Sequence, residues 1–162
     1  TDNDGVQTGT HRTWLDPSGG MKAMLASPRR AMGNILGNAV RFGHADDVMI
    51  AGEGIETMLS LREILPTMPM AAATSSAHLA AIMFPPTLQR LYVARDRDAA
   101  GDAAFGILTD RAQAAGIELM SLMPELGDFN DDLREHDASV LGQQVCLLLH
   151  EHDRTRFFNH TG

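Results

Sequence analysis

From residue 46 onward, short apolar runs alternate with helix-like stretches, and nothing else in the chain restricts its fold as strongly. "VMIAG" (48–52) is apolar at every position, the pattern of a strand covered on both faces. "MAAAT" (70–74), "LYVAR" (91–95) and "IELMSLM" (117–123) continue the series as second, third and fourth strands. Between them, "IETMLSLREIL" (55–65) places Ile55, Met58, Leu59, Leu61 and Leu65 near helical spacing, and Pro66 stops it. "SSAHLAAIM" (75–83) predicts a short helix with a serine cap, closed by Pro85 and Pro86. Residues 99–115 form an alanine-rich helix with Gly116 as its C-cap. This order predicts an α/β fold: a Rossmann-like, parallel four-stranded sheet with helices on both faces. The last helix is expected near 138–151, with Val140, Leu141, Val145, Leu148 and Leu149 as its buried stripe.

The flanks read differently. In residues 1–45, "HRTWL", the turn signal "DPSGG" and "MKAMLA" predict a β-hairpin. A loop "SPRRAMGN" and a short strand near "AVRF" follow, and Trp14 is expected to pack the hairpin onto the sheet. The expected division is a β-rich extension over 1–45, the α/β domain over 46–152 and a poorly ordered tail over 153–162. The start without Met reads as a piece of a longer chain. No apolar run approaches the roughly 20 residues that span a bilayer, and a single cysteine, Cys146, rules out an internal disulfide and fits a cytoplasmic setting.

A net charge of −8 argues against gripping nucleic acid by bulk electrostatics. The charge is unevenly spread. Residues 1–45 hold five basic groups against three acidic ones, so the remainder carries −10.

In an open α/β sheet, ligands bind beyond the carboxyl ends of the strands. Three strands here lead into acids: Glu53 and Glu56 after the first, Asp96 and Asp98 after the third, then Asp128, Asn130, Asp131 and Asp132 after the fourth. Each acid alone could cap a helix or oppose its dipole. Together they form an oxygen-rich set suited to Mg²⁺, which binds through one or two carboxylates plus waters and phosphates. Two aspartates one residue apart repel unless a cation or a basic neighbour offsets them. Arg97, between them, is a candidate for that offset, and Gly101 would let a backbone or a phosphate approach the first helical turn.

"VMIAGEGIETMLSL", "LYVARDRDAAG" and "GDFNDDL", in that order and spacing, resemble the toprim domain shared by topoisomerases and primases. The resemblance covers about residues 46–135 and is closest in flavour to primase-like proteins of plasmids and phages. It implies that Glu53 is the toprim glutamate, a general acid or base or a metal ligand, that Asp96 and Asp98 are the metal-binding DxD pair, and that Asp128 is the later acid near the metals. Asn130 or Asp131 falls where a further acid can lie. The cofactor implied is Mg²⁺ or Mn²⁺, and the partners are single-stranded DNA and NTPs, with a zinc-binding module and a helicase elsewhere in the protein or in trans.

A carboxylate cage of this kind supports in-line attack at phosphorus. Priming, phosphodiester cleavage and a non-catalytic docking role all remain open from the motif. Strand passage does not, because the only tyrosine, Tyr92, lies inside a strand. No GxxxxGK[ST] loop is present. A polymerising site also needs cations for triphosphate and template, and Lys22, Arg29, Arg30 and Arg97 are the candidates.

Overall fold

The structure is a computed structural model that describes residues 1–18 and 22–158. Its centre is a five-stranded sheet. The four expected parallel strands are β4 (Val48–Gly52), β5 (Met70–Ala72), β6 (Arg90–Ala94) and β7 (Glu118–Leu122). A fifth strand, β3 (Val40–Phe42), lies antiparallel against β5, giving the order β3-β5-β4-β6-β7.

Period-two alternation sends successive strand residues to opposite faces. On one face, Val48, Ile50, Tyr92, Ala94 and Leu122 meet Met58, Leu61 and Leu65 from or just beyond α1 (Ile55–Ile64). Phe129 of α4 (Phe129–Glu135) and Leu141 and Val145 of α5 (Ala138–Leu148) complete that layer. On the other face, Met49, Ala51, Leu91 and Val93 pack against Leu79 of α2 (Ser76–Ala80) and Ala104, Leu108 and Ala112 of α3 (Ala99–Ala115). Gly116 ends α3 at φ 70°, a conformation that a Cβ would disfavour.

Three regions need correction. The hairpin pairs β1 (Gly9–Thr13) with β2 (Arg29–Gly33), so "RRAMG", read as loop, is the second strand. Residues 19–21, part of the expected turn and of "MKAMLA", lie outside the described residues. Among the described ones, that stretch forms the isolated bridge from Lys22 to Leu15, and Met24 is 95% exposed. Met24 and Leu25 look like strand interior by type, whereas every residue of β2 is exposed. A strand held only by its partner leaves no hydrophobic signature. Trp14 is not buried under the hairpin: it is 37% exposed, with the Arg12 guanidinium 5.3 Å from its ring centroid.

The second correction is α4, which starts inside the stretch read as the loop "PELGDFNDD". The third is at the carboxyl end, where the last helix stops at Leu148 and residues 151–158 form α6 (Glu151–Phe158) in place of a loose tail. Residues 159–162, also expected as tail, lie outside the described residues. Helix α6 buries Phe157 and the fully buried Asp153. Asp153 Oδ2 accepts hydrogen bonds from Arg90 Nη1 at 2.8 Å and from the Tyr92 hydroxyl at 2.7 Å. The Tyr92 oxygen in turn accepts the His150 N–H at 2.9 Å. Burial, then the hydrogen bond to Asp153, pushes the Tyr92 pKa up, so it stays a neutral donor. Tyr92 is therefore core, as expected from its strand position. Among the described residues, no helix is long and apolar enough to cross a membrane.

Candidate functional site

Strand β4 ends at Gly52 and hands the chain to Glu53 at the carboxyl end of the sheet. A Cβ on Gly52 would stand 2.7 Å from the Met58 methyl and 3.0 Å from the Ala94 carbonyl oxygen, so a larger residue would have to push Met58 aside and crowd the end of β6. The Glu53 carbonyl accepts the Thr74 N–H at 2.8 Å. Thr74 has φ 75°, a left-handed conformation costing a β-branched residue on the order of 1–3 kcal/mol. The strain sits beside the acid whose backbone it holds.

Strand β6 leads to Asp96, half-buried, and then to Asp98, which is exposed. Asp98 Oδ1 accepts the Gly101 N–H at 2.7 Å and so caps α3. Gly101 is where the backbone approaches, as expected: a Cβ there would lie 2.7 Å from the Asp96 carbonyl oxygen. Asp128 similarly caps α4, with Oδ1 accepting the Asp131 N–H at 2.8 Å. Asp132 is fully buried and accepts the Glu125 and Leu126 N–H groups, both at 2.8 Å. It is a staple for the loop between β7 and α4.

Among the described residues three buried carboxylate oxygens have no donor, one of them Asp153 Oδ1 at the amino end of β6 and two at this site. Glu53 Oε1 and Asp96 Oδ1 are buried and make no hydrogen bond. Burial pushes the Asp96 pKa up to about 6, with Asp128, Asp98 and Asp131 adding to the rise. Burial, then Asp96 and Asp98, also raises Glu53. The three acidic clusters of the sequence therefore feel one another's charge at one end of the sheet. Among the described residues, no three His, Cys, Asp or Glu side chains stand close enough to form a ready-made cage. Hard, unpartnered oxygens of this kind fit a divalent cation that takes one or two protein ligands and completes its shell with waters and phosphate.

The hairpin roofs this end. A cleft of about 420 Å³ has Glu53, Glu56, Asp96, Asp128 and Asn130 on its sheet side and His11, Thr13, Lys22 and Arg29 on its hairpin side. Of the four expected cations, two face it. Arg29 Nη2 lies 2.7 Å and Lys22 Nζ 4.0 Å from Glu56 Oε1. Arg30, next in the strand, belongs to the opposite face of the hairpin, with Arg12 as its cross-strand neighbour. Arg97 donates Nε to the Pro124 carbonyl at 2.6 Å and lines no part of the cleft, nor does it pair with either aspartate of the DxD motif. Its expected role in damping their repulsion is not seen. Asp98 is also absent from the lining. Sequence reasoning missed His11 and Thr13. Their alternation along β1 is a usable signal only once β1 is paired with β2.

The profile of the toprim domain family matches residues 48–139, and the chain belongs to that family. Residues 1–42 match a domain of unknown function (DUF7146). No curated protein gives a significant match. Among solved structures, the zinc-binding and RNA polymerase domains of the Aquifex aeolicus primase share the fold at TM-score 0.61 and 16% identity, covering 90% of this chain and 38% of that one. The primase fragment of the bacteriophage T7 primase-helicase protein gives TM-score 0.52 and 17% identity, covering 85% of this chain and 62% of that one. The chain thus spans less than two thirds of either.

Proposed function

We propose that this chain is the catalytic core of a primase-like nucleotidyltransferase that makes short primers on single-stranded DNA. One observation carries the reading: a single cleft joins donor-less acidic oxygens at the end of a toprim sheet to two hairpin cations. Glu53, Asp96 and Asp128 would hold Mg²⁺ or Mn²⁺, with Asp98 contributing its field and the oxygen not used in capping. The bound metal would neutralise phosphate charge and orient the reacting oxygens. The ribose 3′-oxygen attacks the α-phosphorus of an NTP, the α–β phosphoanhydride bond breaks and pyrophosphate leaves. Glu53, whose raised pKa suits a base, takes the hydroxyl proton. Arg29 and Lys22 hold the triphosphate. We further assign the function to a mobile-element protein working in the cytoplasm, with template bound by cations outside the cleft such as Arg30 and Arg97.

The test supplies single-stranded DNA, NTPs and Mn²⁺ to the chain, and to the Asp96→Ala/Asp98→Ala double variant. Label incorporation lost in the variant supports priming. Fragment release in place of incorporation assigns the cleft to phosphodiester cleavage. Equal behaviour of the two proteins leaves the fold as a docking module.

A further inference from the structure

Residues 5–33 are joined to the sheet domain in an unusual way. Among the described residues, the hydrogen bonds and ion pairs between this segment and residues 38–158 are confined to one carboxylate, Glu56, with Arg29 and Lys22. Both stalks beside it are anchored. Thr1 exchanges main-chain hydrogen bonds with Ala39, its terminal amine donating at 2.7 Å, and Asn3 Oδ1 accepts from Arg41 at 2.6 Å. Gly5 and Gly37, at φ 81° and 77°, lie between those anchors and the hairpin. Beneath the hairpin a gap of about 50 Å³ remains between Gly9, His11 and Ala31 on one side and Val40, Ala73 and Thr74 on the other. Among the described residues, the polar contacts that hold the hairpin over the sheet therefore converge on one carboxylate, between anchored stalks.

Those contacts are easily exchanged. The Arg29 and Glu56 side chains are 42% and 48% exposed, a setting in which ion pairs are worth little and yield to competing anions. We propose that Glu56 is a resident stand-in for substrate phosphate: it occupies Arg29 and Lys22 in the free chain and cedes them to an incoming polyphosphate. The inference rests on the reading of this cleft as a nucleoside-triphosphate site, and deepens it. A phosphate chain entering the cleft offers several negative oxygens to the same two cations, while Glu56 offers one monovalent carboxylate. Displaced, Glu56 would lie close to bound phosphate and repel it. It therefore tunes affinity downward and rejects weakly charged ligands that cannot outcompete it.

The test titrates inorganic tripolyphosphate into the metal-free chain by calorimetry, so no turnover is needed. Glu56→Gln is expected to bind about fivefold tighter than the parent, and Glu56→Asp, with its shorter reach, less than that but still tighter. Arg29→Ala in the Glu56→Gln background should remove the gain. Equal or weaker binding by both Glu56 variants, in proteins that melt like the parent, overturns the proposal, as does absence of binding by all of them. A chain that obeys this order yet makes no primer would sink the polymerase reading and leave the exchange intact.

Discussion

Strand β6 has a carboxylate at each end, and the two are treated in opposite ways. At its amino end, Arg90 and Tyr92 deliver two donors to Asp153, which sits fully buried with both bonds on Oδ2. At its carboxyl end, Asp96 is half-buried with an oxygen that nothing donates to, surrounded by other acids. The first arrangement fastens a helix to the sheet. The second stores repulsion, which a bound cation would relieve. Each acid keeps one buried oxygen without a donor, Oδ1 in both. What differs is the neighbours, fixed donors around Asp153 and other acids around Asp96.

Removing the acid held by Arg90 and Tyr92 should cost most. Asp153→Ala leaves the Tyr92 hydroxyl without its acceptor and Arg90 with Glu118 as its remaining partner, and a loss on the order of 3 kcal/mol is expected in urea unfolding. Divalent-metal affinity of the still-folded fraction should stay unchanged, and a parallel loss would erase the distinction between the two ends. Next comes Gly101→Ala, whose Cβ would press on the Asp96 carbonyl from 2.7 Å. The backbone must shift, at about 1–3 kcal/mol, and here metal binding should fall together with stability.

Asp96→Asn is expected to act in the other direction. The metal-free protein should melt at or slightly above the parent temperature because like-charge crowding is relieved, while the rise in melting temperature with millimolar Mg²⁺ disappears. A clear drop in metal-free stability would make Asp96 as structural as Asp153. The pH dependence has the same origin. The Asp96 carboxyl titrates near 6 folded against an ordinary 3.8, so the folded chain keeps a proton that the unfolded chain has lost. That contribution is full below the ordinary value and is lost as pH rises through about 6. Melting curves across this window should show the decline in metal-free parent protein and a flatter trace in Asp96→Asn.

Much of this contrast was legible in the sequence, and what was not has a physical reason. Runs such as "VMIAG" and "LYVAR" announce buried parallel strands, and the acids after them follow from where such strands end. Capping and chemistry could not be separated by residue type, since Asp98 and Asp128 do cap helices while their charge bears on Glu53 or Asp96. Strand β2 was hidden because none of its side chains is buried. Helix α6 was hidden because the group it buries deepest is a charged aspartate, and the arginine and tyrosine that make this tolerable lie about sixty positions earlier.

The three-residue strand β3 has a practical consequence for anyone who would trim this protein. It precedes the stretch bearing the family signature, which begins at residue 48. Yet it covers β5 through the pairs from Val40↔Ala72 to Phe42↔Met70. Cutting the chain at the start of the signature would leave a bare row of main-chain donors and acceptors along an apolar strand, an invitation to pair with a second molecule. The matched segment and the segment that keeps β5 covered are therefore different lengths of chain, and a truncation intended to isolate the toprim domain should begin no later than residue 38.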